Sequence, residues 1–160
     1  LESDNLNIQF EFFEHQGDLP VDEARLLESA MLAAGNAYAP FSSFKVGCAV
    51  LLESGEVMSG NNQENIAFPS GICAERSILY YIGTQGRSGE IRKIAIRASS
   101  KRRKLTEPVT PCGACRQVMV ESEKVAGRDI IVLMQGETGR ILRLEGVGKT
   151  LMPFHFNLEF

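Results

Sequence analysis

Three cysteines restrict what this chain can fold into more than any other feature. Cys73 stands in Cys73-Ala74-Glu75, and Cys112 and Cys115 stand in Pro111-Cys112-Gly113-Ala114-Cys115. Both segments lie at predicted helix starts. Cys112 and Cys115 are three apart, so they share one helical face and can grip one ion. Cys73 then supplies a third thiolate from another helix, which requires two helix N-termini to meet. Three protein ligands leave the fourth position of a zinc ion open to water, the arrangement of catalytic rather than structural sites. Glu75, in the first turn beside Cys73, is placed to reach that water and move protons.

The electrostatics of such a site need compensation. Three thiolates and one Zn²⁺ sum to −1, which blunts the metal's effect on water. Two helix N-termini each return roughly half a positive charge. Arg76 is the candidate to hydrogen-bond the thiolates from behind, and Arg116 is a second.

Apolar periodicity supplies the frame around these residues. Asp22–Tyr38 reads as a helix, with Leu26, Leu27, Ala30, Ala33, Ala34 and Ala37 at helical spacing and Ala39-Pro40 as its stop. Lys45–Leu52 reads as a strand, Ser54-Gly55 as a turn and Glu56–Gly60 as the returning strand. Asn61–Gly71 reads as a loop. Ile72–Gly83 and Cys112–Lys124 read as helices. Ile91–Ala98, Asp129–Met134 and Arg140–Leu144 read as strands, the last two joined through Gly136–Gly139. The order implies an α/β fold with a mixed central sheet of about five strands covered by helices. Residues 1–20 form an N-terminal arm in which Ile8, Phe10 and Phe12 alternate. This arm is either an extra edge strand or an extension onto a partner subunit. Residues 21–160 form a single domain, as the length of 160 favours.

Composition excludes some classes. The net charge is −3, a poor footing for non-specific nucleic-acid binding, which needs a basic field. The run Lys101-Arg102-Arg103-Lys104 reads as a solvated loop, with no interleaved aromatics to stack bases. No apolar stretch approaches the ~18 residues of a membrane span. There is no basic n-region with an apolar core. Four cysteines are too few for a disulfide scaffold. The expected compartment is therefore reducing and cytoplasmic.

The cysteine and glutamate spacing is the signature of zinc deaminases, in which the glutamate is general acid and base, and the assignment above rests on that match. The chain resembles the cytidine deaminase family, in its short, homotetrameric branch, from about Ala24 to Phe156. The resemblance is carried by Tyr38-Ala39-Pro40-Phe41-Ser42-Ser43-Phe44-Lys45-Val46-Gly47, by Asn62-Gln63-Glu64-Asn65, by Cys73-Ala74-Glu75-Arg76 and by Pro111-Cys112-Gly113-Ala114-Cys115-Arg116-Gln117. It ends near Leu151-Met152-Pro153.

The resemblance implies a three-layer cytidine deaminase-like fold and the hydrolysis of cytidine and 2′-deoxycytidine to uridine and 2′-deoxyuridine, with ammonia released, in pyrimidine salvage. Cys73, Cys112 and Cys115 would ligate Zn²⁺. Glu75 would take a proton from zinc-bound water, and hydroxide would attack C4. Glu75 would then deliver protons to ring N3 and to the departing amine. Backbone groups around Ala74 would hold the pyrimidine amide edge, Phe44 would pack on the base, and Asn62 and Glu64 would bind the ribose hydroxyls. Phe156 would reach a neighbour's active site in a homotetramer, although Phe154 is a second candidate. The partner is a small pyrimidine nucleoside, with no nucleic acid and no membrane involved.

Two positions depart from the family pattern. The arm before Pro20 is longer than usual. Phe68 stands where the family often has Tyr, so a hydroxyl is lost. Other readings of the cysteines stay open at this level: a redox pair at Cys112 and Cys115, or a structural zinc site with Cys48 as fourth ligand. A deaminase for another aminopyrimidine and a non-catalytic zinc-binding module are the rival functions.

Overall fold

Apolar alternation in the central strands decides which helix packs where. The computed structural model describes residues 3–158; Leu1, Glu2, Glu159 and Phe160 lie outside them, and with Phe160 goes one of the three aromatics of the apolar tail. Strands β2 (Phe44–Leu52), β4 (Ile91–Ser100) and β5 (Ile131–Gln135) form the middle of the sheet. Cys48, Val50, Ile94, Ile96, Val132 and Met134 point to one face, and Ala49, Ala95 and Leu133 to the other, as the two-residue period of a strand requires. The first face packs on helices α2 (Ala74–Thr84) and α3 (Gly113–Ala126) and the short α4 (Val147–Thr150). The second packs on α1 alone (Val21–Gly35) through Leu26, Leu27 and Ala30. The result is three layers.

Strands β3 (Val57–Asn61) and β6 (Ile141–Glu145) extend the sheet, and β1 (Glu11–Phe13) closes one end, in the order β1-β6-β5-β4-β2-β3. Only β4 and β5 are parallel, and α3 is the connection between them. The other pairs are antiparallel, including both expected hairpins. The sheet thus has six strands among the described residues, not the five expected. The sixth is the central part of the N-terminal arm, which pairs Glu11 with Arg143 and Phe13 with Ile141. Of its two readings, edge strand is the one adopted, because Phe13 packs onto the α1 side of the core. No described helix is long and apolar enough to cross a membrane.

Two tertiary devices seat α1. Its Glu23 is almost fully buried and accepts hydrogen bonds from Lys93 Nζ of β4 at 2.9 Å and Arg143 Nε of β6 at 3.1 Å. Gly47 in β2 lies directly beneath it: a Cβ there would sit 1.9 Å from Ala30 O and 2.5 Å from Ala34 N. Both contacts are helix backbone, which cannot rotate away. Gly47→Ala is expected to destabilise the fold by about 3 kcal/mol or more, above the usual range for one added methyl. Chemical denaturation measures this, and an unchanged midpoint would contradict the close approach.

Helix α4 was not expected, since Gly146-Val147-Gly148 is a poor helix start. A carboxylate from elsewhere caps it: Glu123 of α3 accepts from Val147 N at 2.6 Å, Gly148 N at 3.2 Å and Ile130 N at 3.0 Å. This satisfies helix-end donors that the local sequence leaves open.

Candidate metal centre and active site

Each cysteine-bearing segment changes from extended chain to helix at a cysteine. Cys73 and Cys112 are N-cap residues with extended backbone (ψ 153° and 166°), and α2 and α3 begin at the next residue. Both helices cover the same sheet face, so their N-termini converge. The three sulfur atoms of Cys73, Cys112 and Cys115 all lie within 4.8 Å of one another, and Cys112 Sγ and Cys115 Sγ are 3.5 Å apart. Two thiolates at about 2.3 Å from one zinc ion are separated by up to roughly 4.6 Å. Soft donors, spacing and an open side facing a cavity therefore fit a three-cysteine zinc site.

The environment favours thiolate at one corner. Cys73 has a pKa near 5, because Cys115 donates a hydrogen bond to its sulfur and Arg76 Nη2 does so at 3.8 Å, against the cost of desolvation. Cys115, the donor of that pair and buried, is pushed upward. Arg76 thus lies within hydrogen-bond reach of the Cys73 sulfur. Arg116 does not reach the sulfurs. Its guanidinium donates to Pro111 O at 2.8 Å, Leu151 O at 3.0 Å and Thr110 Oγ1 at 3.3 Å, so it ties the chain after α4 to the start of α3. Cys48 is fully buried in β2, its thiol held well above the usual range by desolvation. It stands outside the trio and behaves as a small core residue, which removes the four-cysteine alternative.

Glu75 sits one residue into α2 and is 5% exposed. Burial raises its pKa. It forms part of the wall of a cavity of about 540 Å³, the size of a small-molecule site. Cys73, Cys112, Ala74, Phe44, Asn62 and Glu64 line the same cavity.

Asn62 and Glu64 have structural partners. The Asn62 carboxamide accepts from Val46 N at 2.7 Å and donates to Phe44 O at 3.0 Å, extending the β2–β3 ladder by one side chain. Glu64 Oε2 accepts from Phe41 N at 2.8 Å and Ser42 N at 3.3 Å, and hydrogen bonds from Ser42 and Phe41 hold its carboxyl below the usual range. Together they grip the turn leading into β2. In this turn Ser43 adopts φ 57°, the one positive-φ non-glycine among the described residues.

Phe156 does not join the cavity of its own chain. It is 71% exposed, and its backbone is fixed by Gln117 through two hydrogen bonds of 2.9 and 3.0 Å. Phe154 is 90% exposed. Phe41, Val109 and Thr110 line the cavity and were not singled out as contacts; Phe68, at the end of the Asn62–Phe68 stretch expected to line the substrate loop, lines it as well. Phe41 and Phe68 meet edge to face with ring centroids 5.8 Å apart. Phe41 stands inside the first motif and Phe68 three residues after the second, which was the available signal.

A family model described as the cytidine and deoxycytidylate deaminase zinc-binding region matches residues 20–133. The cytidine deaminase of Halalkalibacterium halodurans is 43% identical over 139 residues, which cover 87% of this chain and 97% of that protein. The cytidine deaminase of Mycobacterium tuberculosis is 35% identical over 101 residues, 63% of this chain and 71% of that one. Among solved structures, the Burkholderia pseudomallei cytidine deaminase superposes with a TM-score of 0.71 at 36% identity, covering 82% of this chain and 97% of its own. The Mycobacterium tuberculosis enzyme gives 0.64 at 29% identity, with 87% and 100% covered. The matched region runs from the start of α1 through β5 and contains the three converging sulfurs, and on that ground the chain belongs to the zinc-binding cytidine and deoxycytidylate deaminase family.

Proposed function

We propose that this protein hydrolyses cytidine and 2′-deoxycytidine to uridine and 2′-deoxyuridine, releasing ammonia, in cytoplasmic pyrimidine salvage. One observation carries the reading: three sulfurs from two helix N-termini meet beside a buried carboxyl on the wall of a nucleoside-sized cavity. Cys73, Cys112 and Cys115 would hold zinc, which would supply the acidification of water that makes a nucleophile available near neutral pH. The protein's residues do the rest. Glu75 accepts a proton from the attacking water and passes it to ring N3; it then accepts the second proton from the same oxygen, now bonded to C4, and gives it to the leaving amine, so the C4–N bond breaks, the water oxygen stays on C4 as the carbonyl and ammonia departs. Arg76 offsets the negative charge of the sulfurs through Cys73. The backbone at Ala74 orients the amide edge of the base, and Phe44 packs against its face.

Glu64 has one carboxylate oxygen held by the Phe41–Ser42 turn, which leaves Oε1 for a sugar hydroxyl. Asn62 has one N–H beyond its bond to Phe44 O for the same purpose. Phe156, exposed and clear of its own cavity, closes the site of a neighbouring chain in a homotetramer.

The test is direct: purified protein with about one zinc per chain should lower the ultraviolet absorbance of cytidine as uridine forms. No change would overturn the reading. A companion variant separates sugar recognition from loop shape. Glu64→Ala is expected to lower kcat/KM for cytidine by about tenfold or more, as loss of a charged hydrogen bond does. Free cytosine, with no ribose, should be affected far less. Equal losses on both would assign Glu64 to holding the Phe41–Ser42 turn alone.

A further inference from the structure

The N-terminal arm carries a surface that the proposed chemistry does not use, and the family match begins after it, at residue 20. The sequence from Asn5 to Phe12 alternates strictly, and an extended strand over it would put Leu6, Ile8, Phe10 and Phe12 on one face and Asn5, Asn7, Gln9 and Glu11 on the other; within the single chain the strand itself is Glu11–Phe13. All four apolar side chains are exposed, Leu6 by 55% and Phe10 by 56%. Phe10 and Phe12 stack edge to face at 5.5 Å, and the Arg140 guanidinium covers one ring face of Phe12 at 4.0 Å, so the aromatic end of the stripe is held in place. β1 is the last strand of the sheet, and its outer edge has no strand partner among the described residues. Natural sheets blunt such edges with lysine, proline or a bulge. Residues 5–13 contain no Lys, Pro or Gly, and their one carboxylate, Glu11, is engaged by Arg143 at 2.6 Å.

We propose that this arm pairs antiparallel with the arm of a second copy of the chain, about a two-fold axis at Gln9, so that the sheet continues from one subunit into the next. The sequence itself selects this occupant. A two-fold pairing needs a strand acceptable when read in both directions, and the alternation meets that condition. Centred on Gln9, it sets Leu6 opposite Phe12 and Ile8 opposite Phe10, joining two apolar stripes on one face. On the other face it sets Glu11 opposite Asn7 and Gln9 opposite itself, so the strand's carboxylate faces a carboxamide and no like charges meet. Shifting the register by one residue would place at least three of the four apolar side chains against polar ones. An isologous contact of this kind closes on itself and leaves no further free edge on the arm.

Residue 9 is the only arm position that meets itself in this register, which makes it diagnostic. Cα atoms opposite each other in antiparallel strands lie roughly 4.5–5.5 Å apart, within disulfide range. In the zinc-loaded protein, Gln9→Cys is expected to form an intermolecular disulfide under mild oxidation at least roughly tenfold faster than Ser54→Cys, an exposed turn position on the opposite side of the sheet. Peptide mass mapping should show the link joining position 9 to position 9. Phe10→Lys, which leaves the cavity untouched, should retain its zinc and its circular dichroism while its mass by light scattering falls to about half that of the parent, as an arm-to-arm contact requires. Cross-linking of Gln9→Cys no faster than the control, or a Phe10→Lys assembly of parental mass, would overturn the proposal. Neither readout depends on deamination, so failure here is distinct from failure of the functional reading.

Discussion

Glu75→Gln is expected to fold, to bind about one zinc per chain, and to turn cytidine over at least about 10⁴-fold more slowly than the parent. The magnitude follows from the number of transfers asked of one group. A single positioned acid or base contributes roughly 10²–10⁴-fold, and in the proposed reaction this carboxylate serves the water, N3 and the leaving amine in turn. The site offers no substitute. Glu75 is 5% exposed, so bulk water cannot take its place, and the remaining carboxylate on the cavity wall, Glu64, is engaged with the Phe41–Ser42 turn. The amide preserves shape and volume, so packing against α2 survives while proton acceptance does not. Steady-state kinetics with metal analysis on the same sample decide it. Turnover within a few-fold of the parent, with zinc retained, would remove Glu75 from the reaction.

Cys112→Ser is expected to lose most of its zinc and, with it, more than about 100-fold of activity. A serine hydroxyl stays protonated near neutrality and is a hard, neutral donor, whereas this ion prefers thiolate. The geometry gives no replacement. Cys48, the remaining cysteine, is locked in β2 with its thiol kept neutral by burial, and it stands outside the converging group. Cys73 and Cys115 alone leave two ligands on two different helices, and the entropic advantage of a preformed trio is gone. Metal content by mass spectrometry and a thermal melt report the loss independently of catalysis, since any ligand that binds only the folded state stabilises it. Full zinc content with full activity would refute the assignment.

Much of the site was legible in the sequence because its signals are local. A cysteine at the point where extended chain becomes helix, a glutamate two residues after it and, in the other segment, a second cysteine three residues on are short-range patterns, and helix geometry converts them into directions. The strand alternation at Cys48-Ala49-Val50 and Ile94-Ala95-Ile96 was equally local, and it sorted the core into its two faces. Less legible were contacts that depend on what lies across the fold. Arg116 stood beside a zinc ligand in sequence, yet the carbonyls of Pro111 and Leu151 claim its guanidinium. Asn62 and Glu64 are expected sugar contacts, and what the structure shows is that each holds backbone. Helix α4 depends on Glu123, which local propensity could not supply.

The sequence by itself determined which atoms are soft donors, which carboxyl stands beside them, and which stretches must be helix or strand. These follow from residue type and from spacing within a few positions, where covalent geometry leaves few choices. Only the tertiary structure decided that the three sulfurs meet within 4.8 Å, that Gly47 lets α1 lie against β2, and that the arm completes the sheet at β1. Those outcomes depend on packing between segments far apart in the chain. There the free energy comes from burial, from excluded volume and from pairing of groups such as Glu23 with Lys93 and Arg143, and none of it is written in a local pattern.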